Sequence, residues 1–113
     1  MFVAMNRFKV FKENAAAFEA MWLARNSTLH QMPGFMTFQL LKGPDDAEPQ
    51  LYSSYTLWAR KADFEAWTQS AQFRAAHDRA EKRAPLSVGQ PQFEGFDVLQ
   101  TLSAPLAARE AAE

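Results

Sequence analysis

Residues 2–11, FVAMNRFKVF, alternate as a strand does, yet they are apolar on both sides. Phe2, Ala4, Asn6, Phe8 and Val10 share one face, and Val3, Met5, Arg7, Lys9 and Phe11 share the other. Three more stretches have strand character: 35–42 (FMTFQLLK), 50–58 (QLYSSYTLW) and 92–102 (QFEGFDVLQTL). Phe2, Phe8, Phe35, Phe38, Tyr55, Phe93 and Phe96 are too many rings for one shared core. A chain with such strands has to cover both faces of its sheet.

Only two helical stretches are available for that. Phe18, Met21, Trp22, Arg25 and Leu29 recur at helical spacing, predicting a helix over about 14–30 with Asn14 as its N-cap. Met32-Pro33-Gly34 stops it, because Pro cannot continue the ladder and Gly permits the turn. A second helical zone spans about 61–83 and breaks near Ser70, which suits a new N-cap. Gly43-Pro44-Asp45-Asp46 turns the second strand into the third, so 35–58 is an antiparallel pair. Pro85, Gly89 and Pro91 mark the loop before the last strand.

The order is βαββαβ, which predicts an α+β, ferredoxin-like fold: a four-stranded antiparallel sheet with both helices on one face. The other face stays open and apolar, and a second copy of the chain, packed sheet to sheet, covers it most simply. One domain is expected over 1–103. The tail 104–113, rich in Ala and Glu, is read as a loose helix or disordered.

Composition narrows the function. The chain has 113 residues, is 48% hydrophobic and carries ten Phe and three Trp, enough for one real core. Its net charge of −1, with both signs interspersed, gives no electrostatic case for nucleic acid or an anionic membrane. The longest apolar run, Met1 to Met5, is too short to span a bilayer. With no cysteine, disulfides, thiol catalysis and Cys-built metal sites are excluded, and a reducing cytoplasm fits. Four scattered glycines make no phosphate loop, no Ser sits in a nucleophile elbow, and neither His30 nor His77 has metal-ligand spacing.

Six residues bear on function. Asn6 is an amide in mid-strand on an otherwise apolar face, where an unpartnered carboxamide costs about 1–3 kcal/mol. It calls for a structural hydrogen bond or a bound polar ligand. His77, in FRAAHDRA, reads as a half-exposed helix histidine beside Asp78, or as the one imidazole a haem iron needs as axial ligand. Trp67, one turn after Phe64, is either core or a pocket wall. Trp22 and Arg25 lie on one helical stripe; the Arg is a solvated edge or a partner for a carboxylate. His30, near a helix end, reads as structural.

Together these residues resemble a known family. Asn6 in the first strand, Met32-Pro33-Gly34-Phe35 leading into FQLLKG, and Tyr55-Thr56-Leu57-Trp58 are shared features. The most specific stretch is Ala62-Asp63-Phe64-Glu65-Ala66-Trp67 followed by Phe73-Arg74-Ala75-Ala76-His77, with Trp67 and His77 ten positions apart. Over about 2–102 the chain resembles the IsdG-type haem-degrading monooxygenases of the antibiotic biosynthesis monooxygenase superfamily, dimeric α+β barrels. The resemblance implies a homodimer and haem as both substrate and cofactor. O2 and an external electron donor, here an unknown reductase, would open the ring to a bilin-type product and release iron. It further implies that His77 ligates the iron, that Asn6 hydrogen-bonds the distal oxygen ligand, and that Trp67 presses on the porphyrin and ruffles it. Trp22 and Arg25 match positions that contact haem. Two rivals remain: a cofactor-free monooxygenase of the superfamily acting on a phenol or quinol, and a non-catalytic haem carrier.

Overall fold

The computed structural model describes residues 1–25, 28–75 and 88–105. Four strands, β1 (Phe2–Val10), β2 (Phe35–Lys42), β3 (Gln50–Trp58) and β4 (Gln92–Asp97), form one antiparallel sheet in the order β2-β3-β1-β4. Two helices, α1 (Ala15–Leu23) and α2 (Lys61–Thr68), pack on one face. This is the expected ferredoxin-like α+β arrangement.

The middle strands have the expected bounds because turn residues delimit them on both sides. Gly34 leads into β2 with φ +81°, a conformation costly for any residue with a Cβ. Its carbonyl accepts from Ala59 N at 2.7 Å, and a Cβ built on it would lie 2.6 Å from the Cβ of Asp63. Gly therefore lets the start of α2 sit directly on the lead-in to β2. Ser70 is the predicted cap: its Oγ accepts from Phe73 N at 3.1 Å, and residues 71–75 are helical.

Three expectations need correction. The first helix is shorter than 14–30: a 3-10 turn (Lys12–Asn14) precedes α1, a second (Leu29–Gln31) follows it, and Arg25 lies beyond its end. Asn14 occupies the N-cap position, but its side chain makes no capping bond; it is already the last residue of the 3-10 turn, with its N–H on Phe11 O. The fourth strand stops at Asp97 rather than 102. Asp97 pairs with Phe2, the first residue of β1, and beyond that pair Val98 N bonds Met1 O. The end of the second helical zone (76–83), with His77, and the tail residues 106–113 lie outside the described residues.

The rings divide between the faces. Phe2, Phe8, Phe35, Phe38 and Phe93 turn toward the helices, as their contacts with Phe64, Trp22 and Trp58 show. Tyr55, paired with Met5, and Phe96, paired with Val3, turn the other way. No described helix covers that second face, which carries Val3, Met5, Leu41, Leu51, Tyr55, Leu57 and Phe96. Beyond β4 the chain runs on with Leu99 95% and Leu102 87% exposed.

Candidate active site

The helix-facing side of the sheet does not bury one continuous core. One cluster gathers Phe2, Ala4 and Trp58 with Phe35, Phe64 and Trp67 around α2. The other gathers Val10, Phe18 and Tyr52 with Phe8, Met21 and Trp22 around α1. Asn6 lies on β1 between them, flanked by Ala4 of the first and Phe8 of the second. Four residues of strand separate those two flanks, about 14 Å at ~3.4 Å per residue.

The seam is polar across the sheet. Asn6 faces Ser54 on β3 and Phe93 on β4, and Ser54 in turn faces Leu40 on β2. One step along, Thr56 Oγ1 donates to Ala4 O at 3.2 Å and accepts from Trp58 Nε1 at 3.1 Å. Thr56 and Trp58 are thus satisfied within the fold. The half-buried Asn6 carboxamide has no hydrogen bond among the described residues. Of the two readings of Asn6, the structure removes the structural hydrogen bond from the described part of the protein.

Aromatic walls rise on each side. Trp67 packs on Trp58 with centroids 6.5 Å apart, and Phe73 meets it edge-on at 5.5 Å. Phe64 stacks on Phe93 at 5.5 Å, interplanar angle 8°. Opposite, Trp22 stacks on Phe38 at 5.8 Å and 16°, with the Phe8 edge at 5.7 Å. The Trp22 indole N–H is buried without a partner among the described residues, a donor left open in an apolar wall. The Arg25 guanidinium lies 4.3 Å from the Trp22 ring centroid while remaining exposed, so its charge stands at the edge of this wall.

The structure thus brings Asn6, Trp22, Trp67 and Arg25 to one face of the sheet. His77 lies outside the described residues, and His30 is exposed in the 3-10 turn before β2. Two features escaped sequence reasoning. Ser54 and Thr56 were legible as a polar step between Tyr52 and Trp58 on one face of β3. A polar cluster at α1 was not: Tyr52 Oη donates to Glu19 Oε2 at 2.5 Å, and Lys42 Nζ reaches Glu19 at 3.3 Å and Asp45 at 3.0 Å. Burial, then the Glu19 bond, pushes the Tyr52 phenol up to about 12. The same hydrogen bond, then the Lys42 ammonium, holds the Glu19 carboxyl below its ordinary value. Among the described residues no group of three or more His, Asp or Glu forms a metal cluster.

A half-open sheet carrying two helices, with an uncharged amide between aromatic walls, defines a ferredoxin-like domain suited to a flat, largely apolar ligand. Residues 1–79 match the antibiotic biosynthesis monooxygenase family. A heme oxygenase (staphylobilin-producing) of Staphylococcus haemolyticus is 33% identical over 82 residues, 73% of this chain and 78% of that protein. A heme-degrading monooxygenase of Shouchella clausii is 33% identical over 70 residues, 62% of this chain and 64% of that protein. The fold is similar to that of MhuD, a heme-degrader from Mycobacterium tuberculosis solved with two hemes in its active site. Its TM-score is 0.71 at 27% identity, covering 91% of this chain and all of that one. The chain belongs to the antibiotic biosynthesis monooxygenase family.

Proposed function

We propose that this protein is a haem-degrading monooxygenase. Haem is its substrate as well as its cofactor; O2 and electrons from an external donor open the ring to a bilin-type product and release iron. The observation that carries the reading is the Asn6 carboxamide, without a hydrogen bond among the described residues, at the seam between two aromatic clusters, in a family whose similar members are named for haem degradation.

Haem supplies the iron at which O2 is activated; the chain supplies a seat and a shape. Asn6 offers an N–H donor that does not titrate, so it holds an oxygen ligand in place without delivering a proton. Trp67, backed by Trp58 and Phe73, is a ring that cannot easily retreat, and it would bear on the face of a bound macrocycle. Trp22 forms the facing wall, and Arg25 beside it pairs with a substrate carboxylate. His77 is the iron ligand of this proposal: a neutral imidazole suits that task and needs no companion ligands.

The protein acts as a homodimer. The open sheet face with Val3, Met5, Tyr55, Leu57 and Phe96, together with Leu99 and Leu102 beyond β4, is apolar surface that a second copy buries. A reducing cytoplasm suits a chain without cysteine. No described helix is long and apolar enough to cross a membrane.

The test is a haemin titration followed by ascorbate in air with catalase present. A Soret band at near-stoichiometric haem, lost on adding reductant, is the expected result, with a bilin identified by mass spectrometry. No band overturns the reading; a band that persists makes the protein a carrier. A His77→Ala variant with unaltered ligation and turnover overturns the assigned ligand.

A further inference from the structure

Helix α1 is poor in polar anchors. Of AAAFEAMWL only Glu19 and Trp22 carry polar side-chain atoms, and the Trp22 N–H has no partner among the described residues. Glu19 is therefore the polar side chain of this helix that is seen to grip the sheet among the described residues.

That grip is a built one. Glu19 takes Tyr52 Oη at 2.5 Å and Lys42 Nζ at 3.3 Å, so it is tied to β3 and β2 at once. Tyr52 is buried, its ring 4.6 Å from Phe18, the residue before Glu19. Lys42 also pairs with Asp45 at 3.0 Å, and the Asp45 carbonyl accepts from Lys12 in the turn before α1. The chain of contacts closes from the β2–β3 loop back to the start of the helix. Next along the same helix face comes Trp22, which stacks on Phe38, and Phe38 is on the strand that carries Lys42. Glu19–Lys42 and Trp22–Phe38 are successive rungs between α1 and β2.

We propose that the Glu19–Tyr52–Lys42 rung is a positioning device that fixes the depth and tilt of the Trp22 wall, and thereby how the macrocycle is seated. The claim about seating rests on the haem reading; the claim about Trp22 does not. Glu19 and Tyr52 act through the neighbouring rung. Tyr52 is a donor across neutral pH, as an ordinary phenol is.

The experiment follows the three indole N–H resonances of the full-length apo protein labelled with 15N, assigned through Trp22→Phe. In Glu19→Gln and Tyr52→Phe, exchange of the Trp22 indole N–H rises about fivefold or more, the scale expected from losing a charged hydrogen bond. Trp58, bonded to Thr56, and Trp67 keep their rates. The haem complexes of the same variants show a displaced Soret maximum and an altered ratio of bilin isomers. Unchanged Trp22 exchange, or a rise shared by all three indoles, overturns the proposal, the latter because it reports general loosening. Should Glu19→Gln not fold, Tyr52→Phe decides alone, since it keeps the ring on Phe18. A wild-type protein without a Soret band defeats the haem reading and leaves the exchange result to judge the rung.

Discussion

Asn6→Leu separates a functional amide from a structural one by the sign of its effect on stability. Leu keeps the branching and the number of side-chain heavy atoms of Asn, and the side chain stands half-buried between Ala4 and Phe8, its apolar neighbours on that face of β1. Half-burying a Leu is worth about 1 kcal/mol, from about 1.5–3 kcal/mol for full burial. Removing a carboxamide that has no internal hydrogen bond adds roughly 0.5 kcal/mol, discounted because water still reaches it, and better strand propensity adds a few tenths more. The free protein should be more stable by about 1.5 kcal/mol, a rise in Tm of about 6 °C at fixed protomer concentration. Turnover of haem should collapse while the Soret band still forms. Urea unfolding and thermal scans give the first quantity; ascorbate-driven loss of the Soret band gives the second. A variant destabilised by 1 kcal/mol or more would show that Asn6 holds the fold, and one with full activity would remove it from the site.

Gly34→Ala should cost about 2–3 kcal/mol, since φ +81° strains an L-residue and the new Cβ meets Asp63; a loss of less than about 0.5 kcal/mol in the urea unfolding free energy refutes the packing account. Alkaline stability should carry the signature of Tyr52. Its folded-state value, raised from 10.0 to about 12, contributes stability that is whole below pH 10 and lost as the pH climbs toward 12; Tyr52→Phe should flatten that slope, read by unfolding at pH 9, 10 and 11. Met5→Lys sets a cation opposite Glu94, favourable in a lone chain, but buries it in an interface between open sheet faces. Sedimentation velocity should find the variant monomeric at micromolar concentration, and a persistent dimer places the interface elsewhere.

What the sequence made legible follows from which forces are local. The bounds of β2 and β3 were plain because Gly34, Gly43 and Pro44 leave the backbone few alternatives. The length of β4 was not: the pattern QFEGFDVLQTL continues to 102, but a strand ends where its partner ends, and β1 starts at Phe2. The helix over 14–30 was overdrawn because Leu29 keeps the periodic stripe, whereas in the structure it packs against the α2 cluster from a separate turn. Asn6, Trp22 and Trp67 were visible as residues out of keeping with their surroundings. The rung of Glu19, Tyr52 and Lys42 joins residues up to 33 positions apart that look ordinary one by one, so only the fold could assemble it.

Alternation along β1 lets one short chain carry both the proposed site and the proposed interface. Even positions, Phe2 through Val10, face the helices and frame Asn6; odd positions, Val3 and Met5 above all, face the open side. A slip of one residue would exchange the two sets, so the register that places the amide at the seam is the register that presents the apolar face outward. β1 is held in that register by β3 on one side and β4 on the other, each pairing from Phe2 onward. A central strand so tightly specified tolerates one local inconsistency, a carboxamide without a partner among the described residues, because its neighbours make the geometry over-determined. On an edge strand the same Asn would be free to turn to solvent, and the walls of Trp22 and Trp67 would have nothing polar to aim a ligand at.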